Sequence, residues 1–298
     1  MLWVREVLPD SKRRKLYNRA LWITLLGNSF LTVIKGSAAY LNGSTAIFSD
    51  AANSISDVMY SILLFIGLWI AQRPPDLSHP QGHSRFEPLV ALVITISMSL
   101  AGFGALYSSL IRFMAGGAAI ELSLATMVLS ASAVIKVGMF YLVGCIARDL
   151  KSPGLKAASS DNLSDVLTSM AALLGVIGSN FINPLFDPAA GIFITAWIFR
   201  AAFLIAKENV GYLTGAGASK ELRERILQTA HSVSGVSNVH HVVSDYVGSK
   251  LVVDIHINLD GKISLNKAHA ICDKVAEKVE DIPDVDRAYV HAEPLDHL

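Results

Sequence analysis

The chain has 298 residues, of which 52% are apolar and only 17% are charged, and its mean hydropathy is +0.45. Soluble domains carry about a quarter charged residues, so this composition indicates a membrane protein. The formal net charge is zero, which excludes a general basic bias towards nucleic acid. Cys145 lies in an apolar stretch and Cys272 in a polar one, so we expect no disulfide between them.

Six stretches of the chain are long and apolar enough to cross a bilayer, which takes about 20 residues as a helix. The basic run from Lys12 to Lys15 leads into the first, which is too long for a cleavable signal sequence. The six stretches cover residues 18–40, 45–71, 86–110, 122–147, 155–179 and 186–208. The sequence therefore predicts a six-helix α-helical transmembrane domain over residues 1–213.

Lysine and arginine are distributed unevenly among the connections between these stretches. The amino-terminal segment and the second and fourth connections carry several, the first and fifth carry none, and the third has only Arg112 at its edge. Positively charged loops stay on the cytoplasmic side, so we expect both termini to face the cytoplasm. Because no organelle-targeting signal is evident, a prokaryotic plasma membrane is the expected location.

The polar remainder, residues 214–298, predicts a separate cytoplasmic domain. Apolar residues alternate with other residues in some stretches, as in strands, and recur with a helical period in others. Ser219 is expected to cap the first helix. The predicted elements are a helix over 219–233, strands over 237–247 and 250–259, a helix over 264–281 and a last strand over 285–292. This α-β-β-α-β order predicts an α+β domain with a small core.

Two pairs of polar side chains lie inside the predicted membrane helices. Asn53 and Asp57 are spaced i,i+4, as are Asp161 and Asp165, so each pair occupies one helix face. A charged residue at the centre of a membrane helix costs roughly 3 kcal/mol, so such residues usually mark an ion path. Hydrogen bonding between helices, worth ~1 kcal/mol, is the competing explanation. We favour a divalent-cation site.

This site would be built from oxygen alone, because all nine histidines lie outside the predicted membrane helices. Hard oxygen donors suit Mn²⁺, Mg²⁺ and Ca²⁺, whereas imidazole suits Zn²⁺, Cu²⁺ and Ni²⁺. Mg²⁺ is less apt because it gives up its water reluctantly. Asp50, one turn before Asn53, either lines the access path or lies near the outer interface.

Two lysines also fall within the predicted membrane helices. Lys35 lies near the outer end of the first, where its ammonium can reach the interface. Lys136 lies deeper, in the fourth. We expect it to pair structurally with Asp187 or another carboxylate, with partial neutralisation of the acidic site as the alternative.

Histidines outside the membrane helices form two further candidate metal sites. In the second connection, Asp76, His79 and His83 offer one oxygen and two nitrogen donors, the alternative being an exposed loop that caps a helix. In the carboxy-terminal domain the candidate ligands are His240, His256, His269, His291 and Glu293. We expect His231, His241 and His297 to be solvated.

Five segments together resemble a cation diffusion facilitator across essentially the whole chain. They are Gly43–Ala46, Asn53–Asp57, His79–Glu87, Ser160–Asp165 and His291–Pro294. The resemblance implies a homodimer in the lipid bilayer that exchanges cytoplasmic divalent metal for protons. It also implies a membrane site at Asn53, Asp57, Asp161 and Asp165, a loop site, and tail ligands at the dimer interface.

The resemblance also bears on the choice of metal. Zinc-transporting members usually have histidine where Asp161 stands, and an Asn-Asp-Asp-Asp set resembles manganese exporters. Mn²⁺ is therefore the expected substrate, with Zn²⁺ and Fe²⁺ left open, and no organic cofactor is expected. A channel or a non-transporting metal sensor remains an alternative, whereas no HExxH, phosphate loop or catalytic triad indicates an enzyme.

Overall fold

The computed structural model of the protein describes residues 11–42, 45–117 and 124–295. The chain divides into two compact units, Met1–Asn209 and Val210–Leu298. Each unit has its own cluster of buried apolar side chains.

The first unit is built from the six long helices that the sequence predicts. They are α1 (Ser11–Asn42), α2 (Thr45–Ala71), α3 (Phe86–Met114), α4 (Leu124–Leu150), α5 (Pro153–Phe181) and α6 (Phe186–Leu213). Four of them, α2, α3, α4 and α6, contain a stretch apolar and long enough to cross a membrane. Within the described residues α1 and α5 lack such a stretch: α1 opens on a basic run and α5 carries Asp161 and Asp165.

Helices α4 and α5 approach each other closely at a glycine. A Cβ atom on Gly144 would lie 2.8 Å from the Ser159 hydroxyl, so a larger residue would force either that side chain or the helices to shift. Ser159 also donates a hydrogen bond of 3.1 Å to the backbone carbonyl of Phe140. Ser152 caps α5 by accepting from the Leu155 N–H. The contacts of Ser159 thus hold α5 close against α4.

Polar contacts hold α2 against α1 at the level of Asp57. The Asn28 amide donates to the Ser61 hydroxyl at 2.8 Å, and Thr32 donates to the backbone carbonyl of Ser54 at 2.8 Å. Ser61 in turn donates to the backbone carbonyl of Asp57. Hydrogen bonds between membrane helices are worth about 1 kcal/mol each, so they fix α2 beside α1.

The second unit confirms the predicted α+β domain. Its elements are α7 (Lys220–His231), β1 (Asn238–Val247), β2 (Lys250–Leu259), α8 (Leu265–Glu280) and β3 (Val285–Pro294). As predicted, the Ser219 hydroxyl caps α7 by accepting from the Leu222 N–H, and Ser264 caps α8 in the same way.

The three strands form one sheet in the order β1-β2-β3. Strands β1 and β2 are antiparallel and joined at Gly248, whose positive φ of 74° suits a tight turn. Strand β3 pairs parallel to β2 after the crossover through α8. Alternate residues of β2, including Leu251 and Ile255, are buried in the core with α7 and α8. The histidine-bearing positions therefore lie on the opposite face.

This core gives a matched test of stability. Leu251 is fully buried, whereas Leu265, at the start of α8, is 84% exposed. We expect Leu251→Ala to lower the free energy of unfolding of residues 214–298 by about 2–5 kcal/mol, because it removes packed methyl groups and leaves a cavity. Leu265→Ala should change it by about 0.5 kcal/mol or less. Urea unfolding followed by circular dichroism measures both, and equal losses would contradict this description of the core.

Candidate metal centres

The carboxylates of α2 and α5 meet at the side chain of Lys136 from α4. The Lys136 Nζ atom lies 3.0 Å from Asp57 Oδ2 and 2.7 Å from Asp165 Oδ2. Lys136 is only 5% exposed, whereas the side chains of Asp57 and Asp165 are 14% and 34% exposed. Three helices therefore bring opposite charges together inside the bundle.

Asp161 completes the acidic face of α5 one turn before Asp165. Within the described residues, Asp57, Asp161 and Asp165 do not bring one oxygen each to within 4.8 Å of the others. Lys136 instead lies between Asp57 and Asp165. The side chains of Asn53 and Asp50 lie outside the described residues, so the predicted amide ligand has no observed contact.

The lysine predictions have mixed outcomes. Lys136 pairs with the acidic site, which was the alternative, and not with Asp187. Asp187 instead pairs with Arg112, at 3.1 Å. The prediction that Lys35 reaches the interface is wrong, because its side chain is buried among the helices and only 6% exposed.

A buried carboxyl, Glu87, lies at the start of α3, at the end of the His79–Glu87 segment that carries part of the family resemblance. Glu87 is 4% exposed and accepts hydrogen bonds from the Tyr17 hydroxyl, at 3.3 Å to each oxygen, and from the Ser152 hydroxyl. It thereby ties α1, α3 and the start of α5 together. An acidic residue at the first turn of an apolar helix was the available signal, but its partners are distant in sequence.

The loop between α2 and α3 gathers Asp76, His79 and His83. One ligand atom from each lies within 4.8 Å of the others. Asp76 Oδ2 is 3.3 Å from His83 Nε2, and Asp76 Oδ1 is 3.5 Å from His79 Nδ1. His83 Nδ1 lies 3.2 Å from the Pro74 carbonyl; donation there would leave Nε2 as the metal-binding atom.

The loop also keeps Asp76 ionised. Its Oδ1 atom accepts hydrogen bonds from the backbone N–H groups of His79, at 2.7 Å, and Ser78, at 2.9 Å. The His79 N–H, followed by the nearby His83 ring, holds the pKa of Asp76 below its ordinary value. A carboxylate that stays charged in mild acid suits a cation ligand.

A second group lies on the exposed face of the sheet, around Glu293. One ligand atom each of His240, His256 and Glu293 lies within 4.8 Å of the others. Glu293 Oε1 is 3.1 Å from His256 Nδ1, and Oε2 is 3.4 Å from His240 Nε2. His291 lies at the edge of this group, its Nε2 atom 3.8 Å from Glu293 Oε1.

Strand pairing explains how these side chains converge. His256 on β2 is the register partner of His291 on β3. Between Val239 and His241 the pairing of β1 with β2 shifts, so His240 is an extra residue in a bulge. Its Nδ1 atom lies 3.0 Å from Asn258 Oδ1, which fixes the ring with Nε2 towards Glu293.

His269 is not brought into this group. It lies on α8, which packs on the other face of the sheet, and its ring is 75% exposed beside Asp273. His231 and His241 are exposed, as expected, although the His241 ring lies 4.8 Å from that of His256. His297 lies outside the described residues.

Two family models together match nearly all of the chain. The cation efflux transmembrane domain matches residues 21–214, and the cytoplasmic domain of cation efflux proteins matches residues 218–295. The chain therefore belongs to the cation efflux family, also called cation diffusion facilitators. It is a multi-pass membrane protein of a family of divalent metal cation efflux transporters.

Relatives match along most of their length. An uncharacterized transporter of Methanocaldococcus jannaschii is 33% identical, over 93% of this chain and 98% of its own. The manganese efflux system protein MneS of Bacillus subtilis is 28% identical, over 89% and 91%. The magnetosome protein MamM of Paramagnetospirillum magneticum is 27% identical, over 87% and 82%. The solved MamM-CTD is 32% identical over 25% of this chain and 96% of its own, with a TM-score of 0.25.

Proposed function

We propose that the protein is a divalent cation/proton antiporter that exports metal from the cytoplasm, with Mn²⁺ as its preferred substrate. The observation that carries the proposal is the meeting of Asp57 and Asp165, from two helices, inside the bundle. Asn53 and Asp161 complete the transport site, one turn from each of these residues. The transport domain comprises residues 1–213 and the cytoplasmic domain residues 214–298.

The donor set supports Mn²⁺. Three carboxylates and an amide are hard oxygen ligands, which suit Mn²⁺ better than they suit Zn²⁺. The similarity to MneS, a manganese efflux system protein, points the same way. Fe²⁺ and Zn²⁺ are the alternative substrates.

Proton coupling follows from competition for the same atoms. Carboxylates must be ionised to bind a metal, so metal and protons compete for the oxygens of Asp57, Asp161 and Asp165. If the helices expose the site alternately to each side, metal leaves and protons enter outside, and the reverse happens inside. The proton gradient then drives export.

The two histidine-containing groups have supporting roles in this proposal. The loop group of Asp76, His79 and His83 binds metal at the cytoplasmic edge of the membrane. The tail group around Glu293 binds metal at the interface of a homodimer and reports the cytoplasmic metal level. Both termini face the cytoplasm, and the host is a prokaryotic plasma membrane.

The tail group is tested by two histidine substitutions. His256 lies 3.1 Å from Glu293, whereas His269 lies on the far side of the sheet. His256→Ala should weaken metal binding by residues 214–298 about tenfold or more, because one ligand is lost. His269→Ala should leave the affinity unchanged. Calorimetric titration with Mn²⁺ and Zn²⁺ measures both, and equal effects would contradict the assigned ligands.

Transport itself is tested with purified protein in proteoliposomes. An acidic interior supplies protons, and uptake of Mn²⁺, Zn²⁺ and Fe²⁺ is compared with and without the pH gradient. We expect Mn²⁺ uptake that exceeds the uptake of Zn²⁺ and Fe²⁺ and that stops when the gradient is collapsed. Flux indifferent to the gradient would indicate a channel. Metal binding by the tail without flux would indicate a sensor.

A further inference from the structure

Lys136 occupies the oxygens that the proposed function assigns to the metal. Its ammonium lies 3.0 Å from Asp57 Oδ2 and 2.7 Å from Asp165 Oδ2. With 5% exposure the side chain has little water around it, so these two carboxylates are its main compensation. One buried cation thus bridges two proposed metal ligands on different helices.

This arrangement differs from the structural ion pair at Asp187. There the Arg112 guanidinium contacts one carboxylate and is 58% exposed. One carboxylate is enough to neutralise an ammonium, yet Lys136 contacts two, one on α2 and one on α5. The geometry therefore places Lys136 in the transport site and not beside it.

A metal ion and the ammonium cannot both keep these contacts. Divalent ions lie about 2.0–2.6 Å from their oxygen ligands, so an ion on Asp57 and Asp165 would sit close to the lysine nitrogen. Like charges at such short range repel strongly in a dry environment. The metal must therefore displace the ammonium from at least one carboxylate.

The formal charges fit a divalent substrate. Metal binding requires all three carboxylates to be ionised; together with the ammonium they then sum to −2, which a divalent cation neutralises. Without the lysine, the metal-loaded site would keep a net charge of −1 inside the bundle, which favours retention of the metal.

We propose that Lys136 is an internal cation that exchanges with the metal on Asp57 and Asp165, weakening metal binding and promoting release. This inference rests on the proposed function. When metal binds, the ammonium leaves one carboxylate. When the metal dissociates, the ammonium contacts that carboxylate again, which favours metal release. Lys136 is thus a positioning and affinity-setting residue of the transport site.

Two substitutions of Lys136 separate this role from a structural one, because they shift the half-saturating Mn²⁺ concentration in opposite directions. Lys136→Gln removes the competing charge and should lower that concentration about tenfold, with a lower maximal rate. Lys136→Arg keeps the positive charge on a planar guanidinium, which can donate two parallel hydrogen bonds to a carboxylate. It should therefore raise the half-saturating Mn²⁺ concentration. A purely structural lysine predicts less folded protein and an unchanged half-saturating concentration in both variants.

The experiment is Mn²⁺ uptake into proteoliposomes at fixed pH gradient, with folded protein quantified by gel filtration. Arg112→Gln, which removes the cation of the Arg112–Asp187 ion pair, should leave the half-saturating concentration unchanged. If Lys136→Gln does not fold, Lys136→Arg is the test. A half-saturating Mn²⁺ concentration of Lys136→Arg at or below the wild-type value overturns the inference. The inference is also overturned if the wild-type protein transports Mn²⁺ and Lys136→Gln has the same half-saturating concentration as the wild type. Absence of wild-type flux for every divalent metal overturns the proposed function itself.

Discussion

Asp57→Asn should reduce proton-driven Mn²⁺ uptake by about 100-fold or more, because it removes a charged ligand from the centre of the transport site. The amide keeps the size of the carboxylate. Lys136 keeps its 2.7 Å contact with Asp165, so we expect the helices to remain packed. Flux into proteoliposomes measures the effect, and gel filtration checks the fold.

A matched control for this substitution is Asp187→Asn. Asp187 is also a carboxylate of a membrane helix and is also paired with a basic side chain, Arg112. It has no contact with the transport site in the described residues, so its substitution should leave flux near the wild-type level. If Asp57→Asn transports at the wild-type rate, Asp57 is not a metal ligand.

Asp161→His should shift the preference from Mn²⁺ towards Zn²⁺ by about tenfold in the ratio of uptake rates. The substitution replaces a hard oxygen donor with an imidazole nitrogen, which zinc favours. Uptake of the two metals is measured in competition within the same vesicles. Asp161→Asn, which keeps an oxygen donor, is the control and should not increase the preference for zinc. An unchanged ratio in Asp161→His would contradict the argument from ligand type.

Elements with local signals could be predicted from the sequence. The membrane helices follow from apolar runs, the alternation along β2 from its period of two, and the α7 cap from Ser219 before a helical pattern. The spacing of Asp161 and Asp165 also predicts one shared face. These features depend only on residues close in the chain.

Features that depend on packing could not be predicted. The partners of Lys136 follow from how α4 packs against α5 at Gly144 and from the reach of the Lys136 side chain to Asp57 on α2. The position of His240 follows from a shift in strand pairing, which no spacing in β1 reveals. His269 shares a sequence region with the tail ligands, but the crossover puts its helix on the other face of the sheet.

Recording Mn²⁺ entry and proton exit in the same proteoliposomes, with a metal-sensitive and a pH-sensitive dye inside, is the most direct test of proton-coupled export. We predict that added Mn²⁺ enters acidic vesicles while protons leave in proportion, and that both signals disappear in Asp57→Asn. Mn²⁺ entry without proton exit, or no Mn²⁺ entry by the folded wild-type protein, would contradict the antiporter proposal.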